Sequence, residues 1–230
     1  MIANFRRHRF AWLLMFIAGY LLMSPLLNEN SIGRVVNDVL LTMIITITFL
    51  ALAQGARPGW WAAAAWGLAV VGIWMGQLAP SGSILQGGTS LPLMFLGMAV
   101  ALILRNVFRQ NTVTVETIYA ALCAYLLAGL FFAMIYFGIA RIDPQALSFV
   151  TPLEDAGKFM WECIYFSFVT LTTLGYGDVT PHSDIARSVA FIQALSGQLY
   201  LAVLVARLVG LYTAAGIVKR DSGGGIDGPD

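Results

Sequence analysis

Six stretches of this 230-residue chain are predominantly apolar, at positions 10–27, 36–53, 60–78, 91–108, 114–140 and 188–213. About 20 such residues in helical conformation cross the hydrocarbon core of a bilayer, so each is expected to be a membrane-spanning helix. Between them lie residues that interrupt such helices: Asn28-Glu29-Asn30, Gln54-Gly55-Ala56-Arg57-Pro58-Gly59, Pro80-Ser81-Gly82-Ser83, and the polar run from Asn106 to Asn111. A seventh apolar stretch, 159–171, is aromatic but too short to cross, and is expected to enter the membrane and turn back. The pattern predicts an all-α membrane protein with six transmembrane helices and a re-entrant helix between the fifth and sixth. Arg6, Arg7 and Arg9 precede the first stretch as they would in a secretory leader, but no small-residue cleavage site follows, so it reads as a retained helix.

Composition agrees with this reading. Hydrophobic residues make up 59% of the chain and charged residues 11%, where a soluble domain carries about 25% charged. The net charge of +1 offers no basic face, which argues against nucleic acid as a partner. Cys123 and Cys163 lie in apolar runs with no CxxC spacing or nearby His, so they read as buried free thiols rather than a metal or redox site. No set of catalytic groups converges in the sequence, and neither an enzyme nor a bound cofactor is expected.

Short loops rich in Lys and Arg stay in the cytoplasm, which sets an orientation. With the amino terminus inside, Arg6, Arg7, Arg9, Arg57, Arg105, Arg109, Arg207, Lys219 and Arg220 fall on the inner side, and Arg34, Arg141, Lys158 and Arg187 on the outer. Both termini are then expected to be cytoplasmic, in a multi-pass protein of the cell membrane.

Directly after the short apolar stretch comes Thr170-Leu171-Thr172-Thr173-Leu174-Gly175-Tyr176-Gly177-Asp178-Val179-Thr180-Pro181. This string resembles the pore signature of the potassium channel family, with Leu174 where the family usually has Val. The likeness covers about the final half of the chain, from the fifth apolar stretch to the end of the sixth. It implies a selectivity filter in which the backbone carbonyls of Thr173, Leu174, Gly175 and Tyr176 replace the hydration shell of a potassium ion, with the Thr173 hydroxyl closing the innermost site. Gly175 and Gly177 fit that role because glycine takes left-handed backbone angles without steric cost. The string occurs once per chain, so a closed ring needs symmetric copies, and the family's number is four. The implied partners are potassium ions as permeant ligand, three further copies of the chain, and the lipid bilayer.

The resemblance also assigns supporting roles. Thr170 and Thr172 place polar atoms beside the carboxyl end of the re-entrant helix, whose partial negative charge favours a cation. Phe166 stands where the family often has Trp, and is expected to pack around Tyr176; plain aromatic core is the alternative. Many members brace the filter from the short helix onto the Asp that follows the last glycine, with a Trp or an acidic residue. Those positions here are Tyr165 and Val169, so the Tyr165 hydroxyl is expected to donate to the Asp178 carboxylate, with a solvated carboxylate as the alternative.

In the sixth stretch, Gly197 resembles the family's hinge glycine, although close helix packing explains a mid-membrane glycine equally well. Arg207 is expected at the inner interface. The fourth stretch lacks the arginines at every third position that voltage-sensing members carry, so weak or absent voltage gating is expected. The chain then divides into a four-helix unit resembling a degenerate voltage-sensor-like domain (1–109), a pore unit (110–217) and a short disordered cytoplasmic tail (218–230). Asp38 and Glu116 are acids at or near membrane depth, with an Arg partner or a helix end as the plainer explanation. His182 falls in the expected outer mouth, where it titrates near neutral pH or stands by. Two rival readings remain: a weakly selective cation channel on the same pore, and a transporter in which the string is incidental. The intact Gly-Tyr-Gly argues against the first. The absence of two repeated halves with paired broken helices argues against the second.

Overall fold

The computed structural model describes residues 8–27, 31–53, 60–78, 84–110, 114–149 and 156–223. Within them run helices α1 (Arg9–Leu27), α2 (Ser31–Ala53), α3 (Trp60–Leu78), α4 (Ile84–Arg109), α5 (Val115–Ile142), α6 (Ala156–Leu171) and α7 (Asp184–Gly223). Two three-residue strands complete the set, β1 (Leu147–Phe149) between α5 and α6, and β2 (Val179–Pro181) between α6 and α7. Five helices are long and apolar enough to cross a membrane, and the apolar part of α3, Trp60–Met75, is shorter. The protein is a multi-pass membrane protein built almost wholly of helices. In lipid a helix is favoured because it satisfies its own backbone polar groups.

Several boundaries differ from the expectation. Helix α4 begins at Ile84 and α7 runs to Gly223, where apolar periodicity alone gives 91–108 and 188–213. The apolar run marks only the part at membrane depth, and a helix continues past it wherever its backbone bonds are satisfied. Residues 218–223, expected in the tail, are therefore helical, and 224–230 lie outside the described residues. The breaks at 28–30, 54–59 and 80–83 also lie outside them. The two strands are an addition to the all-α expectation. They pair antiparallel, with Leu147 opposite Pro181, Ser148 opposite Thr180 and Phe149 opposite Val179. Three residues carry too little alternation to register as a strand in the sequence.

Helix α5 is the hub. Half of its membrane window is buried, against 17% for that of α7, and it packs on α1, α4 and α6. One buried cluster joins Phe10, Leu13 and Ile17 of α1, Ile44 and Ile45 of α2, Phe95 and Ile103 of α4, and Cys123 and Leu127 of α5, and so runs across the 109/110 boundary. A second cluster collects Tyr136, Phe137, Leu147, Cys163, Phe166, Val179 and Ala186 behind the 172–178 segment. Both cysteines are free and buried. Lipid tails are as apolar as leucine, so helices at membrane depth associate through close van der Waals contact and hydrogen bonds rather than escape from water. Glycine makes that contact closer: a Cβ on Gly97 would stand 2.8 Å from the Phe131 ring, and one on Gly129 2.5 Å from the Phe168 ring.

Helix ends are capped where the chain turns sharply. The Thr114 hydroxyl accepts from the Thr117 N–H in a reciprocal box that starts α5. The Ser183 hydroxyl accepts from the Ala186 N–H at 3.2 Å and starts α7. Replacing Ser183 with Ala is expected to cost about 1 kcal/mol. Thermal unfolding of the purified protein in detergent checks this, and an unchanged midpoint would show that the cap contributes nothing.

Candidate ion-conduction site

Helix α6 ends at Leu171, and the chain leaves it without wasting its carbonyls. The Thr172, Thr173 and Leu174 N–H groups donate to Phe168, Thr170 and Val169 oxygens at 3.0, 3.0 and 2.9 Å. The Thr172 hydroxyl donates to the Phe168 oxygen at 2.7 Å. These bonds turn the backbone tightly into the segment from Thr173 to Gly177. Along it φ is +60° at Thr173, +56° at Gly175 and +82° at Gly177, and these are the positive values among the described residues. Left-handed conformation at every second residue is the backbone pattern that turns successive carbonyls toward one side, where a regular strand alternates them. Glycine takes it freely, but Thr173 is β-branched and strained there by about 1–3 kcal/mol. Its surroundings hold it in place: besides its own N–H bond, its hydroxyl accepts from Gln198 Nε2 of α7 at 3.2 Å.

Residues 172–178 are all exposed in the single chain, with Leu174 at 58% and Tyr176 at 68%. Past them, Asp178 is held from two sides. The Tyr165 hydroxyl donates to its Oδ2 at 2.6 Å, which is the bond anticipated between these residues, and the Val179 N–H donates to its Oδ1 at 3.0 Å. The Tyr165 bond is the main cause that holds the Asp178 carboxyl below its ordinary pKa, and the same bond pushes the Tyr165 phenol up to about 12. Glu162, one turn before Tyr165, has its pKa raised by burial and then by the Asp178 charge. The chain then pairs as β2 with β1, and Ala146 O accepts from the N–H groups of His182 at 2.7 Å and Ser183 at 3.3 Å.

Of its two expected places, Phe166 takes the core one within the single chain. Its ring meets Tyr136 of α5 edge-on at 4.7 Å in the second core cluster, rather than packing around Tyr176. Consecutive residues point about 100° apart around a helix, so Tyr165 turns to Asp178 while Phe166 faces α5. Gly197 is buried against the end of α6, where an added Cβ would stand 2.4 Å from the Leu171 backbone oxygen. Of the two readings of this glycine, close packing is what the geometry accounts for. Thr170 is half-buried beside it, and its backbone oxygen accepts from Thr173.

Sequence reasoning missed the polar network behind the segment. Gln193 of α7 is fully buried; its Nε2 donates to Ser167 O at 2.9 Å and to Ser167 Oγ at 2.7 Å, while its Oε1 accepts from the Tyr136 hydroxyl at 2.7 Å. Ser167 passes its own proton to Gly129 O at 2.7 Å. Helices α5, α6 and α7 thus meet at one glutamine. Tyr125 adds a second tie, its hydroxyl donating to Leu171 O at 3.2 Å. The available signal was Gln193 and Gln198 inside an apolar helix, since polar side chains at membrane depth are costly unless used.

The remaining candidates are placed as follows. Glu116 lies in the first turn of α5, where a helix favours an acid, and its carboxylate is 3.7 Å from His8 Nδ1. Asp38 takes part in an interaction of its own in α2, and its backbone oxygen accepts from Thr42 Oγ1 at 2.7 Å. The His182 side chain is exposed. Arg207 donates both guanidinium arms to backbone oxygens at the end of α4, those of Val107 and Gln110, and lies over the Phe108 ring at 5.3 Å.

The site is thus a strained, exposed backbone segment of alternating handedness, entered from a short apolar helix and flanked by two long ones. A family model described as ion channel matches residues 112–214, which takes in α5, α6, the segment and most of α7. The chain is also similar to Protein LctB of Bacillus caldotenax and to Protein LctB of Geobacillus stearothermophilus. Each is 32% identical over 126 residues, which is 50% of this chain and 92% of the relative. This chain belongs to the ion channel family.

Two outcomes follow from the geometry. Asp178 has a lowered pKa in the folded state, so its share of stability is present above the ordinary carboxylate value and is lost as pH falls through the lowered one. Tyr165→Phe removes the main cause, and Asp178 is expected to titrate at higher pH, bringing the onset of acid instability up with it. Carbon-13 titration of the Asp178 carboxyl reads this directly, and a curve identical to that of the parent would show that the phenol is not what lowers it. Gly197→Ala is expected to destabilise by about 1–3 kcal/mol through overpacking against a backbone oxygen that cannot swing away. A plain hinge glycine would instead gain up to about 1 kcal/mol of helix propensity, so the sign of the change in unfolding midpoint separates the two.

Proposed function

We propose that this chain is one of four identical subunits of a potassium-selective channel, with residues 173–177 as its selectivity filter. The observation that carries the reading is the positive φ at Thr173, Gly175 and Gly177 within an exposed stretch at the end of α6. Stripping a potassium ion of water requires oxygens at matched positions, and this backbone pattern offers carbonyls from four consecutive residues. Non-helical backbone at membrane depth is tolerated only against protein or a water-filled path. The exposed face of 172–178 therefore calls for a central pathway, and one chain with one such segment does not encircle it. The sparse burial of α7 supports the same conclusion, because a helix covered over 17% of its window leaves a face for neighbouring copies and for the inner cavity. Under C4 symmetry that interface is heterologous and closes into a ring.

In this reading α5 is the outer helix, α6 the re-entrant pore helix and α7 the inner helix, and the first four helices, which share a core with α5, bring the number of spans to six. The carboxyl end of α6 lends partial negative charge to a cation in the cavity. Glu162 and Asp178 add acids at the outer mouth. Thr170 and Thr172 support the turn into the filter, and Phe166 braces α6 from behind through Tyr136. Both termini are cytoplasmic, following the Lys and Arg bias, and the protein resides in the cell membrane. Without arginines along the interior of α4, steep voltage dependence has no source.

The test is the reversal potential of the purified protein in liposomes under opposed potassium and sodium gradients. A potential close to the potassium equilibrium value is expected, with Gly175→Asp or Tyr176→Ala abolishing the current or its selectivity. A sodium-permeable parent current would favour a weakly selective cation channel instead.

A further inference from the structure

The ends of α1, α2, α3 and α4 on one side of the four-helix unit enclose a cavity of about 520 Å³, within the range of about 300–1,000 Å³ that small-molecule sites occupy. Its walls come from the start of α1, the end of α2, the start of α3 and the end of α4. That is the level at which apolar helices give way to polar residues, hence the membrane interface. Three arginines line it, Arg9, Arg105 and Arg109, and among the described residues none of its lining groups is acidic. The rest of the wall is apolar and aromatic, including Phe49, Trp61 and Phe95.

One of these arginines is already partly used. Arg9 Nη1 donates to Ala51 O at 3.0 Å, which satisfies a carbonyl in the last turn of α2 and fixes that guanidinium at the rim. A guanidinium has five N–H donors, so Arg9 keeps others for an anion. A small inorganic anion would use the arginines and leave the apolar wall wet. A neutral lipid would use the wall and leave the charge of three arginines, two of them exposed at the rim, unmatched. An amphiphile with a phosphate head and an acyl chain uses both, and basic pockets between helices at an interface select such head groups.

We propose that this cavity binds one anionic phospholipid, with its phosphate among Arg9, Arg105 and Arg109 and an acyl chain against Phe49, Trp61 and Phe95. The proposal needs only that the protein resides in a membrane, and it stands whichever ion the pore selects. It also gives the lipid a route to α7. Gln110 lines the cavity next to Arg109, and its backbone oxygen, with that of Val107, is what Arg207 holds. A bound head group thus touches the segment that anchors the pore-flanking helix to α4.

The test uses the full chain in phosphatidylcholine nanodiscs, titrated with phosphatidylglycerol or phosphatidylcholine brominated on the acyl chains. Quenching assigned to Trp61 is taken as the difference between the parent and Trp61→Phe. Phosphatidylglycerol is expected to quench at a much lower mole fraction than phosphatidylcholine. The double variant Arg105→Gln, Arg109→Gln is expected to weaken that preference about 30-fold, from roughly tenfold or less per guanidinium near a membrane surface. Met98→Phe narrows the apolar part and keeps all three arginines. It is expected to lower quenching too, so a folding failure of the arginine variant leaves the question answerable. Equal quenching by the two lipids would overturn the proposal and leave an ordinary boundary-lipid surface. Protection of Trp61 by millimolar inorganic phosphate, with no preference for phosphatidylglycerol, would overturn it in favour of a soluble anion.

Discussion

A stretch of exposed backbone that is neither helix nor sheet, set between two long apolar helices, is the constraint on which the rest of this protein depends. Lipid supplies no hydrogen bonds, so every polar group of 172–178 needs a partner in protein or in a water-filled path. The structure answers at the α6 end with three N–H bonds to the helix's last carbonyls and one from the Thr172 hydroxyl. At the other end Asp178 is held by Tyr165, and β2 is held by β1. Between these anchors Thr173 sits in a conformation that β-branched residues avoid. Strain of this kind persists only where the surroundings over-determine it, and the Gln198 contact from α7 is part of that surround.

The same constraint explains the polar core behind the segment. An apolar residue at position 193 would pack as well in lipid, yet a fully buried glutamine is there with its Oε1 and Nε2 both engaged, by Tyr136 and Ser167. Such a network is worth little more than its alternatives when intact and costs heavily when one member is lost, because the others are then buried without partners. Its effect is positional. It sets α7 against α6 at one register, and Gly197 completes that register by letting the α6 terminus approach where no side chain fits.

How much of this was legible in the sequence follows from the range of each signal. Helices announce themselves through 20-residue apolar runs, so their places along the chain were readable, though five of the six runs expected to span are long and apolar enough among the described residues; their ends were not readable, because polar residues continue the backbone bonds of α4 and α7. The 173–177 string was readable since glycine spacing states a backbone conformation directly, and Thr173 shares that conformation without being glycine. The Tyr165 to Asp178 bond was readable because a carboxylate directly after the glycine string favours a nearby donor and a hydroxyl lay 13 residues upstream at the right turn of a helix. For Phe166 the sequence left packing around Tyr176 and plain aromatic core both open, since an aromatic ring buries equally well on either face, and within the single chain it takes the core place against Tyr136. The strand pair and the Gln193 network were invisible for a further reason: their partners lie 26 to 57 residues apart, and nothing local marks which polar atom meets which.

Arg207 shows how the two halves of the chain are made into one object. An arginine on a membrane helix costs little at the interface, where its stem lies along apolar surface and its head reaches water. Here the head is turned back instead, onto the carbonyls that end α4, which lack partners within their own helix. A helix carboxyl end favours a cation, so the charge and the hydrogen bonds act in the same direction. The tie joins α7 to the four-helix unit at the level of the membrane interface, while α5 joins them through the continuous core at membrane depth. Two attachments at different depths restrict α7 to tilts that keep both. The α4 terminus is thus tied directly to the helix that flanks the 172–178 segment, and Gly197 packs that helix against Leu171 at the end of α6.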